Sequence, residues 1–172
     1  MLHAFDPGLS LGWAFFEGDR ASSRLLDLRA NCEGAVYARA RSKLLEIIAH
    51  DDVVGVEAAI LPNKVTISSR LVLFGIRAII VQVCYERMAR VVEIEPHRWR
   101  SHFMGVVQAP KQVPRQHRRA WLKARAQDAV RQCGWGDVSS DEADAIGILT
   151  YLRSSLDPNF GVKSTPLFAH GR

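Results

Sequence analysis

Residues 2–17 read LHAFDPGLSLGWAFFE. Two apolar runs, 2–6 and 11–17, flank Pro-Gly-Leu-Ser, the pattern of a β-hairpin. Asp6 closes the first run, a carboxylate set where a strand enters a core. Asp-Pro-Gly is good turn chemistry and Asp often starts a turn. Pro7 and Gly8 suffice for the turn, so the acid invites a search for partners elsewhere in the chain.

Outward from this hairpin, SSRLLDLRA (22–30) reads as a third strand. Between Gly34 and His50 the apolar residues Val36, Ala40, Leu44, Ile47 and Ile48 recur at helical spacing, and Asp51-Asp52 ends that helix. VVGVE (53–57) is a buried strand that again finishes on an acid. Residues 66–88 predict a long helix that is apolar on nearly every side, so more than one of its faces must be covered. RVVEIE (90–95) is a further strand, with Glu93 and Glu95 on its wet face, and Pro96 redirects the chain. Two more helices are predicted near 114–133 and 140–154. The order βββ-α-β-α-β-α-α predicts an α/β domain with a mixed sheet over residues 1–156, then an irregular tail, 157–172.

The chain of 172 residues is long enough to bury a core as one domain. Its 48% apolar and 24% charged residues are ordinary for a soluble globular protein. The net charge of +5 hints at a polyanionic partner. Cys32, Cys84 and Cys133 form no CxxC pair, which predicts reduced thiols, no zinc site and a cytoplasmic location. No signal peptide is expected. The most apolar stretch, 71–85, is too short and too polar to span a membrane, since it contains Arg77 and Gln82.

Asp6 and Glu57 both close short apolar strands. If those strands are neighbours, the two carboxylates emerge at one end of the sheet, where their repulsion and burial call for a cation. A third acidic site lies in VSSDEADAIGILTYL (138–152). Ser139 with Glu142 fits a capping box and starts a helix. Asp141 and Asp144, three apart, then share a face of its first turn. The helix dipole alone favours an acid at Asp141. It accounts less well for Asp144, which precedes an apolar run. Four such carboxylates would make an oxygen-only site suited to Mg²⁺ or Mn²⁺.

At these residues the sequence resembles the RuvC-type Holliday-junction resolvases, of the ribonuclease H-like fold. AFDPGLSLGWAFFEG (4–18) is similar to that family's first strand, Asp-Pro-Gly turn and second strand. VVGVEAAI (53–60) resembles the strand with its second acid, and DEADAIGIL (141–149) its Asp-x-x-Asp helix. The resemblance spans residues 2–153. It implies a mixed central β-sheet flanked by α-helices, with Asp6, Glu57, Asp141 and Asp144 as ligands of two Mg²⁺ ions, Mn²⁺ substituting. It also implies a homodimer joined through helix 66–88, acting on four-way and other branched DNA. The family's aromatic after the second acid is replaced here by Ala58, Ala59, Ile60, Leu61 and Pro62. The longer loop in 105–121 and the short tail are more like the phage and prophage branch.

Residues 96–135 hold nine Lys/Arg against the single acid Asp128, so this segment's charge of +8 exceeds that of the whole chain. Arg98, Arg100, Lys111, Arg115, Arg118, Arg119 and Lys123 are its candidate DNA contacts. Arg119, Lys123, Gln127 and Arg131 form a stripe at i, i+4 spacing opposite Leu122, Ala126, Ala129 and Cys133. Such a face is commonly just solvated, but joined to a basic, Pro-interrupted loop in a chain that resembles a nuclease it reads as a phosphate track. By the resemblance, Arg100 and Lys123 fall near the family's functional lysines. Trp99 and Trp121 are open either to stacking on bases or to core packing, as His102 and His117 are to phosphate contact. Two other readings compete with a nuclease. One is a non-catalytic dimer that binds branched DNA. The other is an actin-like phosphotransferase fold, which usually needs a second such domain.

Overall fold

The computed structural model describes residues 1–58 and 67–160, with 67–70 as backbone only. The expectations for Ala59–Pro62, the start of the apolar helix at 66 and most of the tail therefore lie outside the described residues. Five strands form one mixed sheet: β1 Leu2–Asp6, β2 Ser10–Glu17, β3 Arg20–Asp27, β4 Val53–Glu57 and β5 Arg90–Ile94. Their order is β3-β2-β1-β4-β5. β1, β2 and β3 form an antiparallel meander, while β4 and β5 run parallel to β1.

The helices are α1 Glu33–Ile47, α2 Ile67–Glu86, α3 Pro96–Met104, α4 Arg118–Gln132 and α5 Ser140–Leu156. Strand alternation divides the core in two. Phe5, Leu11, Val54 and Val56 on one face pack with Val36, Ala40 and Leu44 of α1 and Ile76, Ile80 and Val83 of α2. Ala4, Ala14 and Ile94 on the other face pack with α5, behind which lie Trp99 of α3 and Ala126 and Val130 of α4. α5 carries an unbroken buried run from Ala145 to Thr150, the apolar run that follows Asp144 in the sequence.

The hairpin, α1, β4, α2, β5 and the last two helices stand where the sequence pattern puts them. The third strand begins two residues earlier than expected. α3 was not expected at all: Pro96 does not merely redirect the chain but takes the first turn of this helix. Gly105, in the left-handed conformation at φ 69°, closes it. Asp52 is more than a helix stop. It is buried, pairs with the Met1 amino group and with His3 Nε2 at 3.1 Å, and accepts the Ala49 N–H. His3 Nδ1 in turn accepts from Trp13 Nε1 at 3.2 Å, which sets the ring's proton on Nε2. Burial favours that neutral form.

On α2 one stripe is buried while Leu71, Leu73, Phe74, Val81 and Tyr85 face outward, Tyr85 with 82% of its surface exposed. Among the described residues no helix is long and apolar enough to cross a membrane.

Candidate active site and nucleic-acid interface

Parallel pairing of β1 with β4 brings their C-terminal ends to one edge of the sheet, with Phe5 opposite Val56. The next residues, Asp6 and Glu57, are therefore neighbours. Both continue the face that packs on α5, because Ala4 and Gly55 two residues earlier do so. On the other side, β2 sets Gly12 opposite Asp6. A Cβ on Gly12 would stand 2.1 Å from the carbonyl oxygen of Asp141. Only a glycine lets the N-terminus of α5 descend this far onto the strands.

The start of α5 is fixed by the expected capping box. Ser139 Oγ accepts the Glu142 N–H, and Glu142 Oε2 accepts the Ser139 N–H at 3.0 Å. Glu142 is thereby spent as cap partner and on Ser23, whose hydroxyl it accepts at 3.1 Å. Asp141 and Asp144 lie near enough to Asp6 to act on its carboxyl. Burial, then Glu57, Asp144 and Asp141 in that order, push the Asp6 carboxyl well above the ordinary range, against Lys123. Burial raises Asp144 to about 7, although Lys123 pulls it down. Glu57 is likewise raised by burial, and Trp99, Arg100 and Lys123 moderate it.

All four predicted acids thus share one pocket of electrostatic influence, and none is sealed from water. Yet among the described residues no three His, Cys, Asp or Glu side chains are set to hold a metal ion as they stand. Two of the four are engaged elsewhere. Trp99 Nε1 donates to Glu57 Oε1 at 3.0 Å, while Lys123 Nζ pairs with Asp141 Oδ1 and reaches Ser140 Oγ at 3.0 Å. The donor set is carboxylate oxygen alone, and its mutual repulsion is relieved by cations, so it suits a hard divalent ion.

Trp99 is wholly buried, which settles its open reading toward the core and against base stacking. Its role as the Glu57 donor was missed because α3 was missed. Pro96 and Gly105 bracketing PHRWRSHFM were the available signal. α3 also delivers Arg100, whose Nη2 lies 3.8 Å from Glu57 Oε1.

The other basic residues stand apart from the acids or nearer solvent. Arg98 is exposed and bonds Glu95 at 3.1 Å. Lys111, Arg115, Arg118 and Arg119 are exposed along the approach to α4 and its first turn. Arg118 Nε donates to the Val113 carbonyl at 3.1 Å. Arg119 sits one turn before Lys123 on the same helix. Of the stripe, Gln127 donates to the Val138 carbonyl at 2.8 Å and Arg131 pairs with Asp128 and Asp137, so both serve structure. His102 rests edge-on against the Tyr151 ring, 5.8 Å between centroids.

No protein-family model matches the sequence, and no curated protein matches it significantly. Solved structures do match in shape. A RuvC structure from Thermus thermophilus superposes with a TM-score of 0.65 at 17% identity, covering 92% of this chain and 96% of that one. RuvC from T. thermophilus in complex with a Holliday junction substrate superposes with a TM-score of 0.62 at 12% identity, covering 91% and 95%. The chain has the ribonuclease H-like fold in its RuvC-type arrangement, a mixed central sheet flanked by helices.

Proposed function

We propose that this protein is a divalent-metal-dependent endonuclease that resolves four-way junctions and other branched DNA, acting as a homodimer in the cytoplasm. The observation that supports the reading is that Asp6 and Glu57 end neighbouring parallel strands where the start of α5, with Asp141, descends onto Gly12, in a fold that matches RuvC structures. Asp6, Glu57, Asp141 and Asp144 would hold a pair of Mg²⁺ ions, or Mn²⁺, which activate water and neutralise charge on the leaving oxygen when bound.

The chain's own residues bind and orient the substrate. Arg98, Lys111, Arg115, Arg118 and Arg119 meet phosphates along the duplex arms, positioning DNA without reading its bases. Arg100 and Lys123, nearest the acids, meet the phosphates beside the scissile one. Trp99 holds Glu57 in place from beneath. Hydrolysis adds a water oxygen to phosphorus and breaks the bond to the 3′ oxygen, leaving 5′-phosphate and 3′-hydroxyl ends. A partner copy docked on the outward face of α2 would present a second such site to the opposite strand of the junction.

The test is cleavage of labelled four-way junctions and matched linear duplex in Mg²⁺. Wild type is expected to cut junctions in preference. Asp6→Asn is expected to lose about a hundred- to a thousandfold in rate, on the scale of removing a key charge-stabilising group, while still binding junctions. Undiminished cutting by Asp6→Asn overturns the assigned site. A second reading, a junction-binding dimer without turnover, is favoured by the engagement of Glu57 and Asp141 with Trp99 and Lys123. Binding without cutting by wild type in Mg²⁺ and Mn²⁺ would establish it.

A further inference from the structure

Lys123 is placed oddly for a simple phosphate contact. It stands on α4 and reaches across to the N-terminus of α5, where its ammonium pairs with Asp141 and bonds Ser140 Oγ at 3.0 Å. Ser140 Oγ also lies 3.3 Å from Asp141 Oδ1, so hydroxyl, ammonium and carboxylate form one closed group. Both charged partners are less than a third exposed, a setting in which an ion pair is screened less than at an open surface.

We infer that Lys123 is an exchangeable counter-ion: it holds Asp141 while the site lacks a divalent ion, is displaced when one enters, and then takes a DNA phosphate. This rests on the metal-site reading above and adds a coupling to it. Asp141 Oδ1 cannot face the ammonium and a metal ion together without bringing two positive charges side by side. An ammonium on a flexible four-carbon stem can swing away at little cost, unlike a forked guanidinium locked by two bonds. Arg119, one turn earlier on α4, leads from Lys123 to the exposed run Arg115–Arg118, so the freed charge joins an existing basic track. Coupled equilibria are reciprocal. Divalent-ion loading therefore strengthens DNA binding, and DNA binding strengthens ion loading, through this one side chain.

Three measurements on the full chain test the exchange. Mn²⁺ binding is followed calorimetrically without DNA in wild type, Lys123→Met and Lys123→Arg, with folding checked by thermal melting. Lys123→Met is expected to bind Mn²⁺ roughly three- to tenfold more tightly, the scale of losing one half-buried ion pair. Lys123→Arg keeps on Asp141 a cation that is harder to displace and is expected to bind Mn²⁺ less tightly than wild type. Junction binding is then measured with Ca²⁺ and with chelator. Ca²⁺ is expected to strengthen wild-type binding by a larger factor than it strengthens binding by Lys123→Met. In unmodified wild type, reductive methylation of Lys123 read by mass spectrometry is expected to rise when Ca²⁺ is added, a readout independent of how well the variants fold. Equal or weaker Mn²⁺ binding by Lys123→Met, an equal Ca²⁺ effect in both proteins, or unchanged methylation overturns the exchange alone. Absence of Mn²⁺ uptake by wild type and variants alike overturns the metal-site reading and the exchange with it.

Discussion

At the scale of single residues, the acids dominate through what they cost. Asp6 and Asp144 hold protons more tightly in the folded chain than an ordinary Asp does, Asp144 up to about 7. A folded state that binds more protons than the unfolded chain loses stability as pH rises between the two pKa values. Without divalent ions the melting temperature is therefore expected to fall as pH rises from about 4 to about 7, the interval of Asp144, with Asp6 acting in the same direction. Stability should decline across that interval. Asp6→Asn should flatten the decline and melt a few degrees higher than wild type at about pH 8, at roughly 2–4 °C per kcal/mol for a chain of this size. Calorimetry in chelator checks this, and a variant no more stable than wild type at about pH 8 would refute it. Trp99 allows a second test. Trp99→Phe keeps a buried ring but removes the donor to Glu57. It should cost about 1–3 kcal/mol in urea unfolding, against about 3–5 kcal/mol for Trp99→Ala. The bond from Trp99 to Glu57 was not legible beforehand. Asp6 and Glu57 announced themselves by closing apolar runs, whereas a tryptophan among arginines reads equally as core or as a stacking platform.

Elements fix how those residues meet. The capping box at Ser139–Glu142 was readable because its signal is local, four residues with a defined chemistry. α3 was not, because nine residues rich in Arg and His carry little apolar periodicity, and only its end signals gave it away. The approach of α5 to β2 could not be read at all, since it depends on tertiary packing at Gly12. That contact makes a sharp prediction. Gly12→Ala places a methyl against the Asp141 carbonyl, so α5 must lift from the strands. The variant should fold with a loss of about 1–3 kcal/mol, typical of overpacking. Its Mn²⁺ affinity should fall further than that of Ser139→Ala, which loses only a cap worth about 1 kcal/mol. Equal Mn²⁺ affinities in the two variants would show that the close approach does not set the site.

For the whole molecule, a mixed sheet with flanking helices was legible from a hairpin followed by strands alternating with helices, whereas the strand order β3-β2-β1-β4-β5 was not. What the pattern of one chain cannot display is what covers the outward face of α2. Leu71, Phe74 and Tyr85 there fit the proposed partner copy. Leu71→Glu with Tyr85→Glu should convert the protein to a monomer in sedimentation while leaving its melting temperature within a few degrees. A wild type that sediments as a monomer at micromolar concentration would remove the dimer from the reading. The descent of α5 onto Gly12 carries one more consequence. Asp6 comes from the first strand and Asp144 from the last helix, so their meeting closes nearly the entire described chain into one loop. Contacts of such long sequence separation slow folding, because closing the loop costs entropy before the contact repays it. A nascent or partly unfolded chain can then have its meander and its α1–α2 pair in place and still lack two of its four acids. The site is in effect an and-gate on complete folding, so a proteolytic fragment of either half should be inert toward DNA cleavage.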